Sequence, residues 1–161
     1  MVNLDNAFPF KADPVEVTQE MCDLNGHMYV LFYNQILSFG IDKFYSVEMG
    51  FTDEYFELGF STFTLEDNYR YIKECLLGEK LVPRYRLHNV NKKLLHVVAV
   101  LENESGDMCA FYETILGHID MNMRKTAEMQ EDFLRNLIAL MQESSNIKID
   151  MDLRLKIKDL A

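Results

Sequence analysis

The sequence has few of the residues that mark disulfide-stabilised or metal-binding proteins. Its 161 residues include only three cysteines, which are scattered along the chain at Cys22, Cys75 and Cys109. An odd number of cysteines without a Cys-x-x-Cys pair does not form a disulfide framework, and the four histidines are not spaced as metal ligands. We therefore expect reduced, buried thiols and no metal site.

Positive charge is also scarce in this sequence. Its 16 Lys and Arg residues are outnumbered by 26 Asp and Glu residues, which gives a formal net charge of −10 at pH 7. This balance argues against nucleic acid as a partner. It also requires that an anionic ligand be bound by cations gathered in one place.

A long apolar run is the third absence. No stretch reaches the length of a membrane-spanning helix, and no charged leader precedes a cleavable apolar segment, so we expect a cytoplasmic protein. The chain is nevertheless 48% hydrophobic, which supports a well-packed core. By its length we expect a single domain over residues 1–143, followed by an extension over residues 144–161.

Residues 23–28, Asp-Leu-Asn-Gly-His-Met, are the most informative stretch. Asp23, Asn25 and Gly26 are turn-forming residues, and the segment after them has apolar residues on every face at helical spacing. This pattern predicts a buried helix from about residue 28 to residue 48, ended by Gly50. The Asp23 carboxylate would then lie beside the free N–H groups of the first helical turn, which favours a reactive centre there.

Most of the remaining sequence alternates at the period of β-strands. A short capped helix is predicted over residues 52–57, and Thr126 is predicted to cap an amphipathic helix over residues 127–142. This order predicts an α+β fold in which a curled antiparallel sheet encloses one helix. The predicted strands cover residues 15–21, 61–75, 80–89, 94–103 and 108–121.

The C-terminal extension has a pattern of its own. Between Ile147 and Ile157, apolar side chains alternate strictly with charged ones. Six alternations in a row favour a strand over a helix. We expect a C-terminal strand that is docked on the domain or on a dimer partner.

Residues 23–28 also carry a resemblance. Asp-x-x-Gly-His-Met before a buried helix resembles the active-site signature of hot-dog-fold acyl-CoA thioesterases of the 4-hydroxybenzoyl-CoA thioesterase type. With residues 63–66 (Phe-Thr-Leu-Glu) and 92–96 (Lys-Lys-Leu-Leu-His), the match is closest to the subgroup acting in carnitine and betaine breakdown. It covers about residues 15–123. The resemblance implies a hot-dog fold and hydrolysis of a small or medium acyl-CoA.

The resemblance also implies catalytic roles. Asp23 is expected to attack the thioester carbonyl as a nucleophile or to activate a water as a general base, and the backbone N–H of Val30 to bind the oxyanion. Glu66 is expected near the active site, contributed by a partner subunit. From the residues alone, Asp23 also suits a turn cap and Glu66 a solvated charge at a strand edge.

Seven further residues are candidates for contacts with the substrate. The cations suit the phosphates of CoA, although cations on turns are commonly only solvated, and His27 is favoured in a structural role within its turn. The candidates are Asn25, His27, Tyr33, His96, Lys92, Arg124 and Lys125.

The resemblance and the predicted sheet also indicate the partners of the protein. CoA enters as part of the substrate, so no cofactor is expected, and the open edge of a curled sheet predicts a homodimer or a dimer of dimers. Two other functions stay open. One is a hot-dog enoyl-thioester hydratase or dehydratase, whose Asp-x-Asn-Pro-x-His signature begins in the same way; the other is a non-catalytic acyl-CoA-binding domain.

Overall fold

An antiparallel sheet is the centre of the computed structural model, which describes residues 3–159. Residues 1, 2, 160 and 161, which belong to the predicted domain and its extension, lie outside the described residues. In chain order the elements are α1 (Leu4–Ala7), β1 (Phe10–Lys11), β2 (Val15–Glu16), a 3-10 turn (Gln19–Met21), α2 (Val30–Gly40), a π-helical turn (Phe44–Glu48), α3 (Asp53–Glu57), β3 (Phe60–Tyr71), β4 (Lys80–Val90), β5 (Leu94–Asn103), β6 (Met108–Asp120), β7 (Lys125–Thr126) and α4 (Glu131–Ser145).

The strands are arranged in the order β1-β4-β5-β6-β3, with β2 also paired to β4 and β7 to β6. Every pairing is antiparallel. Strand β3 pairs only with β6 in the described part of the chain, so its other side is an open edge. The predicted strand over residues 15–21 is wrong beyond Glu16, because the chain turns into a 3-10 helix at Gln19.

Asparagine side chains close two of the hairpins of the sheet. The Asn91 side chain accepts hydrogen bonds from the N–H groups of Lys93 and Leu94 at 3.0 and 2.9 Å. Asn103 does the same for two N–H groups in the turn between β5 and β6. Such side-chain acceptors replace backbone acceptors in tight turns and fix the register of the strands that they join.

Helix α2 is covered by the sheet on one side only. Tyr33 and Leu37 are buried, and the Tyr85 hydroxyl of β4 donates to the Leu37 carbonyl oxygen at 2.7 Å. In contrast, Leu31 is 57% exposed and Phe39 is 66% exposed. The prediction of a helix buried on every side is therefore wrong for the single chain, because the sheet does not reach round to its other side.

The helical segment begins at Val30 rather than at residue 28. Met28 forms an isolated bridge with Cys22, and its N–H donates to the Cys75 carbonyl oxygen at 2.8 Å. These extended-chain contacts keep Met28 out of the helix. After Gly40 the chain continues through the π-helical turn, and Gly50 follows with a φ of 84°. Glycine adopts this left-handed conformation without steric cost, which confirms the predicted end of the segment.

The later elements agree with the sequence in most places. Strands β4, β5 and β6 match their predicted ranges to within one residue, whereas β3 ends at Tyr71 instead of residue 75. The cap of α3 is confirmed, since the Thr52 hydroxyl accepts from the Tyr55 N–H at 3.4 Å. The predicted cap of α4 is wrong, because Thr126 lies in β7, where it pairs with Ile119 of β6. The helix begins only at Glu131.

The C-terminal extension is docked, but it is not a strand. It lies on the outer face of the sheet, which is the face opposite α2, and no β-pairing is assigned between residues 147 and 159. Its alternating apolar side chains contact a small cluster from α1, β5 and β6. The contacts are made by Ile147, Ile149, Met151 and Leu153 on Ala7, Phe8, Val98, Val100 and Phe111.

Polar groups of the sheet bind the backbone of the extension. The N–H groups of Arg154 and Leu155 donate to the buried Glu113 carboxylate at 3.0 and 3.1 Å, and the Asn91 amide donates to the Lys158 carbonyl oxygen at 2.8 Å. The predicted strand is wrong because the extension crosses the face of the sheet. The backbone groups of the sheet are already paired there, so only side chains remain to bind it.

Removing residues 146–161 is expected to lower the melting temperature and to expose the outer face to a hydrophobic dye. Each apolar side chain that the extension buries contributes roughly 1.5–3 kcal/mol before the cost of ordering the chain. A point variant gives a finer measurement. Leu155 is buried, so Leu155→Ala is expected to lower the free energy of unfolding by about 2 kcal/mol in denaturant titrations.

Asp152→Ala is the matched control for this prediction. Asp152 is exposed in the same segment, and its replacement is expected to change the free energy of unfolding by less than about 0.5 kcal/mol. A truncated chain that melts and binds dye like the full chain would contradict the docking of the extension.

Candidate active site

The residues of the Asp-x-x-Gly-His-Met motif form a closed turn. The Asp23 N–H donates to the His27 carbonyl oxygen at 3.0 Å, and the Gly26 N–H donates to the Asp23 carbonyl oxygen at 3.0 Å. Gly26 has a φ of 84°, a left-handed conformation that other residue types adopt only with strain. The motif glycine is therefore required by the geometry of the turn.

The Asp23 carboxylate is held on both oxygens by one residue. Its Oδ1 accepts from the Asn25 backbone N–H at 2.8 Å, and its Oδ2 accepts from the Asn25 side-chain amide at 3.1 Å. Desolvation is the largest effect on the pKa of Asp23 and raises it. The bonds from Asn25 and the nearby His27 together outweigh desolvation, so the pKa lies below its ordinary value. Asp23 is therefore ionised at neutral pH.

The turn is fastened to the segment that follows β3. Met28 donates to the carbonyl oxygen of Cys75, and His27 forms an isolated bridge with Leu76. On the same segment, the Cys75 N–H donates to the buried Tyr33 hydroxyl at 3.1 Å. These bonds fix both the turn and the first part of α2 against the end of the sheet.

Helix α2 begins without a side-chain cap. Tyr29 occupies the cap position, and its side chain makes no capping hydrogen bond. Within residues 3–159, the N–H groups of Val30 and Leu31 have no hydrogen-bond acceptor. The helix dipole adds a partial positive charge at this point, so the two N–H groups are suited to bind an oxyanion.

A pocket of about 330 Å³ opens at this helix terminus. His27, Met28, Val30 and Tyr33 form one wall, and residues 71–74 form the other. His27 is partly buried, and its Nδ1 lies 3.3 Å from the Met28 carbonyl oxygen. Three of the predicted residues, His27, Val30 and Tyr33, therefore line this pocket, and Asp23 and Asn25 lie in the turn that precedes it.

Glu66 and His96 lie elsewhere, on the outer face of the sheet. Both pair with Ile115, so the three side chains share one face, opposite α2. His96 is 1% exposed, with its Nε2 3.2 Å from Glu113 Oε2. Within one chain these two residues therefore lie on the opposite face of the sheet from α2, and their contact with a substrate, for Glu66 from a partner subunit, stays a prediction. Strand alternation sends His96 outward, and a bulge between Thr64 and Glu66 does the same for Glu66.

The predicted cations gather at the far end of the sheet. Lys92 lies in the turn between β4 and β5, and Arg124 and Lys125 follow β6. The Arg124 guanidinium is 5.3 Å from the centre of the Phe63 ring. Strand β3 begins at this end of the sheet. The Asp23 turn is bound to residues that follow the last residue of β3, at the opposite end. A strand of 12 residues is roughly 36 Å long, so the two groups are far apart within one chain.

Sequence reasoning missed two features of this region. The Cys75 carbonyl that binds the turn carries no sequence signal, because the contact joins distant segments. Asp67, one residue after Glu66, points to the face of α2, where its Oδ1 accepts from the Tyr112 hydroxyl at 2.9 Å. Only the bulge decides which of these two neighbouring carboxylates faces inward, and the sequence did not reveal a bulge.

Two features are absent from the described residues. Within residues 3–159, no group of three or more His, Cys, Asp or Glu side chains is arranged to hold a metal ion. In the same part of the chain, no helix combines the length and the apolar character needed to cross a bilayer.

A family model and relatives of known sequence match most of this chain. The model of the thioesterase-like superfamily matches residues 17–137. An L-carnitine dehydrogenase/betainyl-CoA thioesterase of Agrobacterium fabrum is 28% identical over 130 residues, which are 81% of this chain and 27% of that protein. A protein of the same description from Rhizobium meliloti is 27% identical over 136 residues, 84% of this chain and 27% of the relative. The chain thus spans about a quarter of these relatives.

Solved structures share the fold. A Staphylococcus aureus protein in complex with CoA superposes with a TM-score of 0.81 and 26% identity, over 92% of this chain and 94% of that one. A 1,4-dihydroxy-2-naphthoyl-CoA thioesterase from Synechocystis gives a TM-score of 0.68 and 15% identity, over 81% and 98%. The predicted hot-dog fold is confirmed. With a family model that covers most of its length, the chain belongs to the thioesterase-like superfamily.

Proposed function

We propose that this protein hydrolyses an acyl-CoA thioester to the free acid and CoA, with its reactive centre at Asp23 and the N-terminus of α2. The observation that carries the proposal is an ionised carboxylate in the turn that leads directly into a helix whose first two N–H groups, those of Val30 and Leu31, have no acceptor within residues 3–159. The superfamily match and the names of the relatives support the same reaction class.

The chemistry places negative charge where the helix can bind it. Asp23 attacks the thioester carbonyl, the carbonyl oxygen becomes an oxyanion bound by the Val30 N–H, and the C–S bond breaks to release CoA as a thiolate that takes up a proton. Water then hydrolyses the resulting anhydride. Asp23 can instead activate a water as a general base, and both routes need the ionised carboxylate that its lowered pKa favours.

The dimer that we propose makes the site composite. Strand β3 has an open edge, and Leu31 and Val30 leave apolar surface exposed beside it. A two-fold axis across this edge pairs β3 with its copy in antiparallel fashion. The first half of one β3 then lies beside the second half of the other. Arg124 and Lys125 of one chain thereby approach the Asp23 turn of its partner, where they are suited to bind the phosphates of CoA.

Betainyl-CoA is the first acyl-CoA to test. The two curated relatives carry this activity in their names, although this chain spans only about a quarter of their length. The betainyl group is small, which agrees with the small or medium acyl group expected from the sequence. A screen of short acyl-CoA esters with a free-thiol readout compares it with uncharged alternatives.

Asp23→Asn is expected to lower kcat by about 100-fold or more while leaving the fold intact. Asparagine keeps an oxygen that accepts from Asn25, so the turn remains closed, but the charge and the nucleophile are lost. Activity on the best substrate and the melting temperature are measured together. Turnover close to that of the wild type would contradict a catalytic role for Asp23.

Sedimentation at micromolar concentration tests the dimer. We expect a mass of twice 18.9 kDa, or a multiple of that dimer, because a single chain leaves the β3 edge and the exposed side of α2 uncovered. The active fraction is assayed directly after separation. A fully active monomer would refute the shared site.

A further inference from the structure

A second cavity lies between α2 and the inner face of the sheet, away from the Asp23 turn. Its volume is about 330 Å³, and its lining includes Asp42, Tyr45, Asp67, Tyr112 and Thr114. We name these five residues the anionic pocket. The pocket borders the open edge of β3.

The charge of the anionic pocket has one sign. Asp42 and Asp67 both line it, and its lining contains no Lys, Arg or His. In the part of the chain that the structure describes, neither carboxylate forms an ion pair. Asp67 uses Oδ1 to accept from the Tyr112 hydroxyl at 2.9 Å, and no partner within residues 3–159 is assigned to its Oδ2. The pocket is therefore complementary to a cation.

Two tyrosine rings that line the pocket with these carboxylates, Tyr112 and Tyr45, are held in place by stacking. Tyr112 stacks on Tyr69 with ring centres 4.4 Å apart, and Tyr45 stacks on Phe51 with ring centres 4.6 Å apart. The Tyr45 hydroxyl is also hydrogen-bonded to the Thr62 hydroxyl at 2.8 Å. Aromatic faces next to carboxylates are the surroundings that bind quaternary ammonium groups in proteins.

Thr114 gives an independent sign that the pocket is built for a ligand. Thr114 is 1% exposed, it lines the cavity, and its hydroxyl has no hydrogen-bond partner within residues 3–159. Buried hydroxyl groups are nearly always paired in folded proteins. A polar ligand in the cavity, or a water that accompanies it, would supply the missing partner.

We propose that the anionic pocket binds the cationic end of the acyl group, a quaternary ammonium such as trimethylammonium, and that Asp67 is the residue that selects for this charge. The inference rests on the proposed thioesterase function. Ser38 also lines the pocket and lies eight residues along α2 from Val30, a rise of about 12 Å. Within one chain, a short acyl group is therefore too short to reach from the N-terminus of α2 to the pocket. In the two-fold dimer, Thr62 and Thr64 of the pocket belong to the half of β3 that lies beside the end of the partner's β3 where the partner's Asp23 turn is fastened. One chain then binds the cation while the other cleaves the thioester.

Two substrates of the same shape test the selection of charge. Betainyl-CoA carries a quaternary nitrogen, and 3,3-dimethylbutanoyl-CoA replaces it with a quaternary carbon. Asp67→Asn keeps the oxygen that accepts from Tyr112 but removes the charge. We expect kcat/KM for betainyl-CoA to fall by about tenfold or more, chiefly through KM, with no loss on the neutral ester.

Asp132→Asn is the matched control, because it removes one negative charge from an exposed position on α4. It should leave both substrates unaffected. An equal loss on both esters in Asp67→Asn would overturn the assignment of charge selection to Asp67. An equal kcat/KM of the wild-type enzyme for the neutral ester and for betainyl-CoA would also overturn it.

Binding of choline gives a readout that does not depend on hydrolysis. Choline titrated into the Asp23→Asn protein, followed by calorimetry, is expected to bind, and to bind about tenfold more weakly when Asp67→Asn is added. Absence of choline binding would overturn the pocket even if acyl-CoA hydrolysis is found. Choline binding that depends on Asp67, in a protein that cleaves no acyl-CoA, would uphold the pocket and remove the proposed function.

Discussion

The entry of the chain into helix α2 is the constraint on which the reactive geometry depends. Met28 and Tyr29 donate their N–H groups to Cys75 and Met21, so the backbone just before the helix is fixed. Tyr29 offers no capping side chain, and the N–H groups of the first turn are left for a ligand. A serine or aspartate in that position would stabilise the helix by about 1 kcal/mol, but it would occupy the donors that an oxyanion needs.

The same arrangement explains how a chain with a net charge of −10 can serve an anionic substrate. The proposed nucleophile Asp23 and the candidate cations lie at opposite ends of β3, which is also the open edge of the sheet. The proposed pairing of two copies about that edge would join unlike ends and place a carboxylate, a helix terminus and cations around one thioester. The carboxylates that remain on the inner face then suit a cationic acyl group rather than the phosphates.

Local signals in the sequence predicted the turn at Asp23 better than they predicted its surroundings. The turn at Asp23 and Gly26 needs only neighbouring residues, so its shape could be predicted directly, whereas the role of Asp23 stays a prediction. The sides taken by Glu66 and His96 depend on strand register and on one bulge, which no local pattern revealed. Alternation in the extension predicted its apolar face correctly. Its partner, the Glu113 carboxylate, lies about forty residues earlier and was beyond local reasoning.

The central claim, a site built from two chains, is tested most directly with mixed dimers. Asp23→Asn and Asp67→Asn chains carry different affinity tags, and dimers that contain one of each are purified and assayed on betainyl-CoA. One site of such a dimer combines intact Asp23 from one chain with intact Asp67 from the other. The account predicts about half of the wild-type kcat/KM, since one of two sites is complete. Activity no higher than that of the Asp67→Asn dimer would contradict it.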